Sequence, residues 1–281
     1  MQIFNEIAPL KAFLRAKKLE GKSIGLVPTM GALHTGHLSI IEASKAENDL
    51  TVCSIFVNPA QFNNASDLLK YPRTIDKDTE LLEKVECDVL FCPDNEEMYE
   101  TLPVVKFEFG HLDKVMEGRF RPGHFSGVAL VVSKLLHIVE ANTAYFGQKD
   151  WQQFVIIRQL VEELKFNTEL KSVPTMREPD GLAMSSRNLR LNATDRENAP
   201  VFYQALLAAR IALKNGKSFD DVSGEVRTMV EKSDNITLEY FEIAESKNLN
   251  LIDNVKAAEH PIMCIAGFVG DVRLIDNMFI D

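Results

Sequence analysis

Short, largely apolar runs alternate with helical patterns along the chain up to about residue 175. The runs that favour buried strands are SIGLVP, TVCSIFVN, CDVLFCP, TAYFG and ELKSVP. Apolar residues at helical spacing lie in HLSIIEASKAEN, TIDKDTELLEKVE, GVALVVSKLLHIVE and WQQFVIIRQLVEEL. Residues 1–22 mix charged and apolar positions as an amphipathic helix does, and lack the apolar core of a secretory signal. This alternation predicts βαβ units, and therefore an α/β fold with a Rossmann-like parallel sheet and helices on both faces.

The pattern changes after the loop REPDGLAMSSRN. Two polar-faced helical segments, FYQALLAARIALKNG and DDVSGEVRTMVEKS, precede the strand-like runs TLEYFEIAE and PIMCIAGFVGDVRLIDNMFI. We therefore expect two domains, with residues 1–175 forming the Rossmann-like domain and residues 176–281 forming a smaller C-terminal α/β domain.

Charge and cysteine content narrow the range of partners. The net charge is −10, and the lysines and arginines are scattered, whereas a nucleic-acid-binding protein usually needs a basic face. The net charge does not exclude local basic patches, but we expect no nucleic-acid partner. No stretch of about 18 apolar residues runs uninterrupted, so we expect no membrane partner. The four cysteines lack a C-x-x-C pair, and a cytoplasmic location is predicted.

Four polar loops follow predicted strands at the same, carboxyl, edge of the sheet, where folds of this class bind ligands. They are PTMGALHTGH, NPAQF, GQKD and AMSSRN. In the first loop, His34 and His37 bracket the start of a helix, and Gly31 and Gly36 allow a close backbone approach. A helix N-terminus favours an anion, so the two imidazoles are candidate phosphate donors. A surface or capping role for each histidine is the alternative.

Other groups in these loops suit a phosphorylated ligand. Lys149 and Arg187 supply permanent positive charge, and Ser185 and Ser186 supply hydroxyl donors, although a single loop cation is most often only solvated. Asp150 suits either a ribose hydroxyl or a helix N-cap.

Two neutral amides suit a small polar substrate. Gln61 lies in the second loop, and Gln153 lies one turn into a predicted helix. An exposed helix glutamine without a substrate contact is an equal alternative for Gln153.

Common phosphate and zinc motifs do not fit the sequence. The segment EGKS resembles the end of a P-loop, but the required first glycine would fall on Ala16, within a helical pattern. No strand is followed by G-x-G-x-x-G, and HTGH lacks both the glutamate of a zincin helix and a third zinc ligand nearby.

The loop HTGH resembles the HxGH signature of the nucleotidylyl-transferase superfamily, and MSSRN resembles its KMSKS-type phosphate loop. The similarity is closer to one family, pantothenate synthetase (pantoate–β-alanine ligase). The segments that carry it run in order from Val27 to Asn277, and they are VPTMGALHTGH, SIFVNPAQF, YPRTIDKD, RPGHFSGVALVVSKL, YFGQKDWQQ, REPDGLAMSSRN and RLIDN.

The resemblance implies a two-step, ATP-dependent ligase reaction. The carboxylate of pantoate attacks the α-phosphate of ATP to give pantoyl adenylate and pyrophosphate, and β-alanine then attacks the acyl carbon and releases AMP. The implied catalytic residues are His34, His37 (as proton donor), Lys149 and Arg187. The implied ATP site consists of Met30, Gly31, Ala32, Leu33, His34, Thr35, Gly36, His37, Gly147, Gln148, Lys149, Asp150, Met176, Met184, Ser185, Ser186 and Arg187.

The resemblance also implies the small-substrate pocket and the assembly. Gln61 and Gln153 would hold pantoate, Gln61 would also border β-alanine, and the valines of GVALVV would line the pocket, with Arg121 and His124 at its edge. The family is a Mg²⁺-dependent homodimer in which the small domain closes over ATP; the sequence indicates no metal ligands. Gln148 stands where the family often has glutamate, while Lys149 and Asp150 match the family pattern.

Three other functions remain as alternatives. The first is another HxGH adenylyl transferase or acid–amine ligase. The second is a regulatory nucleotide-binding module without turnover, which the pair of histidines together with Lys149 and Arg187 disfavours. The third is a tRNA-handling protein, which the charge balance disfavours.

Overall fold

The structure, a computed structural model, describes residues 1–232 and 235–280. The chain forms two compact units. The first contains Met1–Gln148 and Ile156–Pro174, and the second contains Lys149–Val155 and the chain from Thr175 onward.

The first unit is built on a parallel sheet. Its strands are β1 (Gln2–Phe4), β2 (Ile24–Thr29), β3 (Leu50–Ile55), β4 (Val89–Phe91), β5 (Thr143–Gly147) and β6 (Glu169–Val173). They pair in the order β1-β4-β3-β2-β5-β6, and every pairing is parallel. The direction of winding reverses between β2 and β5, so their carboxyl ends form the edge at which such sheets bind ligands. The predicted parallel sheet is confirmed.

Helices connect these strands. They are α1 (Ile7–Leu19), α2 (Thr35–Glu47), α3 (Ala65–Lys70), α4 (Ile75–Lys84), α5 (Asn95–Met98), α6 (Met116–Phe120), α7 (His124–Val139) and α8 (Trp151–Leu164). Helix α7 is largely apolar, and most of it is buried, as expected of a helix inside a core, while His137 is exposed. The strands contribute fully buried residues such as Leu26, Val52 and Leu90.

The start of the chain differs from its sequence pattern. Residues 1–22 favour one amphipathic helix, but Gln2–Phe4 pair in register with Val89–Phe91, and the helix begins only at Ile7. A strand of three residues is too short for its alternation to be distinguished from a helical pattern.

The second unit is an antiparallel sheet covered by helices. Its strands β7 (Ile236–Glu245), β8 (Pro261–Val269) and β9 (Val272–Phe279) pair in that order. Its helices are α9 (Ala193–Asn198), α10 (Val201–Lys214) and α11 (Phe219–Val230), and the core includes Phe202, Leu206 and Val226. This is the predicted smaller α/β unit. Ser233, in the predicted second helical segment, and Asp281 lie outside the described residues.

Across the described ranges, no helix is long and apolar enough to cross a membrane. The four cysteines are free thiols, and burial raises the pKa of Cys87 to about 11, which favours the neutral thiol.

Candidate active site

The loop after β2 turns sharply before α2 begins. Gly31 and Ala32 both adopt left-handed conformations, with φ angles of 78° and 50°. A non-glycine residue in this region is strained and needs support from its surroundings. His34 then returns to extended backbone, and α2 starts at Thr35.

A buried carboxylate in α4 supports this turn. The backbone N–H groups of Ala32 and Leu33 donate to Asp78 Oδ2 and Oδ1, at 2.9 and 2.7 Å. The hydroxyl of Thr74 donates to the same carboxylate at 3.2 Å, and Asp78 is only 1% exposed. Asp78 is not recognisable from the sequence, because an acidic residue in the first turn of a helix is already explained by the helix dipole.

The two histidines of the loop lie against each other. Their ring centroids are 4.0 Å apart, and His37 Nδ1 accepts a long, 3.4 Å hydrogen bond from the backbone N–H of His34. When Nδ1 accepts, the proton of a neutral imidazole is assigned to Nε2. His37 therefore helps to cap α2 and carries its N–H at Nε2, so the capping and the phosphate-binding interpretations are compatible.

Gln61 is held by a buried polar network. Asn58, which is fully buried, donates through Nδ2 to Gln61 Oε1 at 3.1 Å and to the carbonyl oxygen of Gly127 at 3.0 Å. Asn58 Oδ1 accepts from the hydroxyl of Tyr99 at 2.8 Å. Burial raises the pKa of Tyr99 to about 12, so its hydroxyl stays a donor at neutral pH. The acceptor side of the Gln61 amide is therefore occupied, and its NH₂ side faces elsewhere.

This NH₂ group meets the histidine-bearing loop. Gln61 Nε2 lies 3.0 Å from Met30 Sδ, and the backbone carbonyl of Gln61 lies 2.8 Å from His124 Nδ1. His124 is buried and fixes the backbone of Gln61, while Arg121 pairs with Glu117 at 3.4 Å. The structure thus brings together Met30 and Gln61, which the family resemblance assigns to the ATP and pantoate sites.

Other predicted residues of the first unit lie nearby in the fold. Gly147 ends β5, and Gln148 follows it, at the same sheet edge as the loop after the neighbouring strand β2. Val128, Val131 and Val132 are buried in α7, the helix that packs on the turn at Pro59–Gln61.

In the second unit, Lys149 and Gln153 lie on the short segment before and within α8. Lys149 Nζ is 4.0 Å from Asp150 Oδ1, and the carbonyl oxygen of Lys149 accepts from Asn277 Nδ2 at 2.7 Å. Gln153 is half-buried, and its amide has no hydrogen-bond partner among the described residues. Such an amide is suited to a ligand.

The remaining predicted residues of the second unit form a narrow loop. The Met184 N–H donates to the Met176 carbonyl at 3.0 Å, and Arg177 pairs with Ala183 in an antiparallel bridge. Ser185 Oγ accepts from the N–H of Arg187 at 3.2 Å. The loop therefore closes on itself and presents its serines and Arg187 at the start of a 3-10 segment, Ser186–Arg190.

Comparisons with known proteins identify the family. The chain matches the family model described as pantoate-beta-alanine ligase over residues 2–279. The chain belongs to the pantoate-beta-alanine ligase family. It is 46% identical over 278 residues to a pantothenate synthetase of Bacteroides fragilis, covering 99% of this chain and 98% of the relative. It is 47% identical over 275 residues to one of Cytophaga hutchinsonii, covering 98% and 97%.

Solved structures of this family have the same fold. Pantothenate synthetase of Thermus thermophilus superposes with a TM-score of 0.93 at 38% identity, covering 100% of this chain and 99% of that one. A pantoate-beta-alanine ligase of Francisella tularensis, complexed with beta-gamma ATP and beta-alanine, gives 0.82 at 35% identity, covering 100% and 98%. The family predicted from the sequence motifs is confirmed.

Proposed function

We propose that the chain is an ATP-dependent pantoate–β-alanine ligase that works through pantoyl adenylate. The observation that carries this function is the contact between the histidine-bearing loop and Gln61, in a chain of this family. A loop suited to nucleotide phosphates and an oriented amide suited to a small acid lie side by side there. A nucleotide-binding module without turnover needs only the first of these.

The nucleophile of the first step is the carboxylate of pantoate. Its attack on the α-phosphate breaks the bond to pyrophosphate, and negative charge grows on the phosphate oxygens and on the leaving group. Prearranged donors are the usual device for stabilising such charge. His34, His37, Lys149 and Arg187 take this role. His37 Nε2–H donates to the phosphates, since its Nδ1 is engaged with the backbone of His34.

The remaining contacts to ATP are proposed for the backbone and small side chains around these donors. Lining residues in the first unit are Met30, Gly31, Ala32, Leu33, Thr35, Gly36, Gly147 and Gln148. Those in the second unit are Asp150, Met176, Met184, Ser185 and Ser186.

Gln61 and Gln153 bind pantoate in this proposal. Gln61 Oε1 accepts from Asn58, so the Gln61 NH₂ group is the one available to the oxygens of a substrate. Gln61 also borders β-alanine. The amide of Gln153, which lacks a partner within the described part of the chain, supplies a second polar contact.

Mg²⁺ fits this chain as a companion of the ATP phosphates. Within residues 1–232 and 235–280, no group of at least three His, Cys, Asp or Glu side chains is placed to hold a metal ion. Mg²⁺ commonly keeps several waters and binds substrate phosphates with only one or two carboxylates. We therefore propose MgATP as the substrate, with the chain's own donors contacting the phosphates directly.

Assembly as a homodimer and a cytoplasmic location complete the proposal. Leu102 and Val104 are 90% and 88% exposed, and apolar surface of this kind often marks an interface. Light scattering of the purified chain tests the dimer. The four free thiols suit a reducing compartment.

The test of this function is product analysis with a panel of acids and amines. With MgATP, pantoate and β-alanine, mass spectrometry should detect pantothenate and an equal amount of AMP. Omission of either substrate should abolish pantothenate formation. Efficient turnover of a different acid, with pantoate inactive, would favour another HxGH acid–amine ligase instead.

A further inference from the structure

An ion pair between Arg177 and Asp276 of β9 holds the loop that carries Ser185, Ser186 and Arg187. The guanidinium of Arg177 donates to both carboxylate oxygens of Asp276, at 2.6 Å (Nη1 to Oδ2) and 2.9 Å (Nη2 to Oδ1). Asp276 is 5% exposed, and its Oδ1 also accepts from the N–H of Asn277 at 2.8 Å. A two-point contact between planar groups fixes direction as well as distance.

The same guanidinium reaches the loop itself. Arg177 Nη1 donates to the carbonyl oxygen of Gly181 at 3.1 Å, and its Cζ lies 4.3 Å from the ring centroid of Tyr203 in α10. Gly181 has a φ of 92°, and a β-carbon there would collide with the same tyrosine ring. The loop, β9 and α10 therefore meet at one side chain.

Backbone hydrogen bonds around Arg177 connect the ion pair to the polar end of the loop. Arg177 bridges Ala183, and the N–H of Met184 donates to the carbonyl of Met176. Ser185 follows directly and caps the segment that contains Arg187. The next residue of β9, Asn277, donates to the carbonyl oxygen of Lys149, so two neighbouring residues of one strand contact both cation-bearing segments of this unit.

We propose that Arg177 and Asp276 are positioning residues, which set the Ser185–Arg187 loop for contact with the leaving pyrophosphate. This role rests on the proposed function. A buried ion pair contributes little net stability compared with well-packed apolar residues, so fixed geometry is the better reason for its presence. Since pyrophosphate has left before the amine attacks, the pair matters for adenylation and not for the second half-reaction.

Arg177→Lys tests this proposal, because lysine keeps the charge and loses the planar fork. Asp276→Asn tests it from the other side with nearly the same shape. The matched control is Arg273→Lys, since Arg273 also lies in β9 and pairs with a partly buried carboxylate, that of Glu239 in β7.

Two kinds of measurement separate positioning from plain stability. Hydrogen exchange reports whether the amides of residues 182–187 become less protected. Pyrophosphate–ATP exchange and the reaction of synthetic pantoyl adenylate with β-alanine report the two half-reactions separately.

In R177K and D276N, exchange at residues 182–187 should be faster than in R273K. Adenylation should slow by about 10- to 100-fold, in keeping with the effect of a misplacement near 1 Å, while reaction of the adenylate changes by less than about threefold. Unchanged protection of the loop would overturn the proposal, as would equal slowing of both half-reactions. If the parent chain catalyses no pyrophosphate exchange, the proposed function fails, and hydrogen exchange alone still decides whether the pair fixes the loop.

Discussion

At the scale of single residues, the candidate site depends on donors whose direction is set by a second hydrogen bond. His37 Nδ1 accepts from the backbone of His34, which assigns the ring proton to Nε2. Gln61 Oε1 accepts from Asn58, which leaves its NH₂ group as a donor. In both cases a structural contact selects the atom offered to the substrate.

Replacing His37 separates its two roles. Asparagine places an amide oxygen near the position of Nδ1, so H37N should keep the contact with His34 and lose the Nε2 donor. We expect H37N to lose on the order of 10²–10³ in kcat, with a smaller change in ATP binding. Its melting temperature should stay closer to that of the parent than the melting temperature of H37A does. A normal kcat in H37N would show that His37 serves the fold alone. His34→Ala, the companion variant, should also lower kcat more than ATP affinity.

Asp78→Asn tests the support of the strained turn. An amide oxygen replaces only one of the two carboxylate acceptors, and a buried N–H without an acceptor costs about 1–3 kcal/mol. The free energy of unfolding should fall by about that amount, and kcat should fall by about tenfold or more because the histidines move with the loop. Asp76→Asn, an exposed position in the same helical turn, is the control. Loss of stability in D78N with kcat unchanged would contradict a role in placing the histidines.

The sequence pattern identified loops more readily than the residues that hold them. His34, His37 and Gln61 are recognisable from the sequence because they follow predicted strands, and the structure brings Met30 and Gln61 into contact. Asn58, Asp78 and Tyr99 carry no such signal. The hydrogen bonds of Asn58 to Gly127, of Asp78 to Leu33 and of Tyr99 to Asn58 join residues far apart along the chain, so they form only once the fold is in place.

At the scale of elements, α7 positions the turn that carries Gln61. Gly127 lets the helix approach this turn so closely that a β-carbon would collide with the Ala60 carbonyl and would lie 2.7 Å from Gln61 Cα. A glycine in a helix normally lowers helix stability, so close contact is a sufficient reason for it here.

Gly127→Ala should therefore displace the turn. We expect the KM for pantoate to rise, and the free energy of unfolding to fall by about 1–3 kcal/mol through overpacking. Gly224→Ala in α11 is the matched control, since nothing lies within 4 Å of its added methyl group. That control should stabilise the chain by about 0.5–1 kcal/mol. An unchanged KM for pantoate in G127A would contradict the assignment of Gln61 to that substrate.

The start of β3 gives the first unit a defined pH dependence. The Asp49 carboxylate accepts from the N–H and the hydroxyl of Ser23, both at 2.9 Å, and from Lys22, which together lower its pKa from 3.8 to about 2. A lowered carboxyl pKa stabilises the fold above the unfolded-state value, and this contribution is lost as the pH falls through the folded-state value. The difference in melting temperature between the parent and Asp49→Asn should therefore shrink between about pH 4 and about pH 2. A difference that stays constant over this range would contradict the assignment.

Elements with a long periodic signal were predicted well, and so were the short strands β4 and β5, whose segments are continuous apolar runs. The patterns of apolar and polar residues that predict β2, α2, β3 and α7 each extend over several residues. Each of these elements is buried on one face or throughout, so its pattern is clear. Strand β1 and the 3-10 segments at Pro59–Gln61 and Ser186–Arg190 are too short to carry a periodic pattern.

At the scale of the whole molecule, the division of the chain is only partly visible in its sequence. The segment Lys149–Val155 follows β5 directly, yet it packs with the second unit. Trp151 explains this, since its Nε1 donates to the Ser246 carbonyl at 2.9 Å and its ring lies 5.1 Å from that of Phe279. A single boundary between residues 175 and 176 cannot assign this segment to the second unit, because the assignment depends on contacts between residues far apart in the sequence.

Exchange of labelled pyrophosphate into ATP tests the central claim most directly. If the chain forms an acyl adenylate from pantoate, the label should enter ATP when pantoate and Mg²⁺ are present and β-alanine is absent. No label should enter without pantoate, and β-alanine should instead draw the intermediate toward AMP and pantothenate. Exchange that requires β-alanine, or that proceeds equally well without pantoate, would contradict the two-step ligase function.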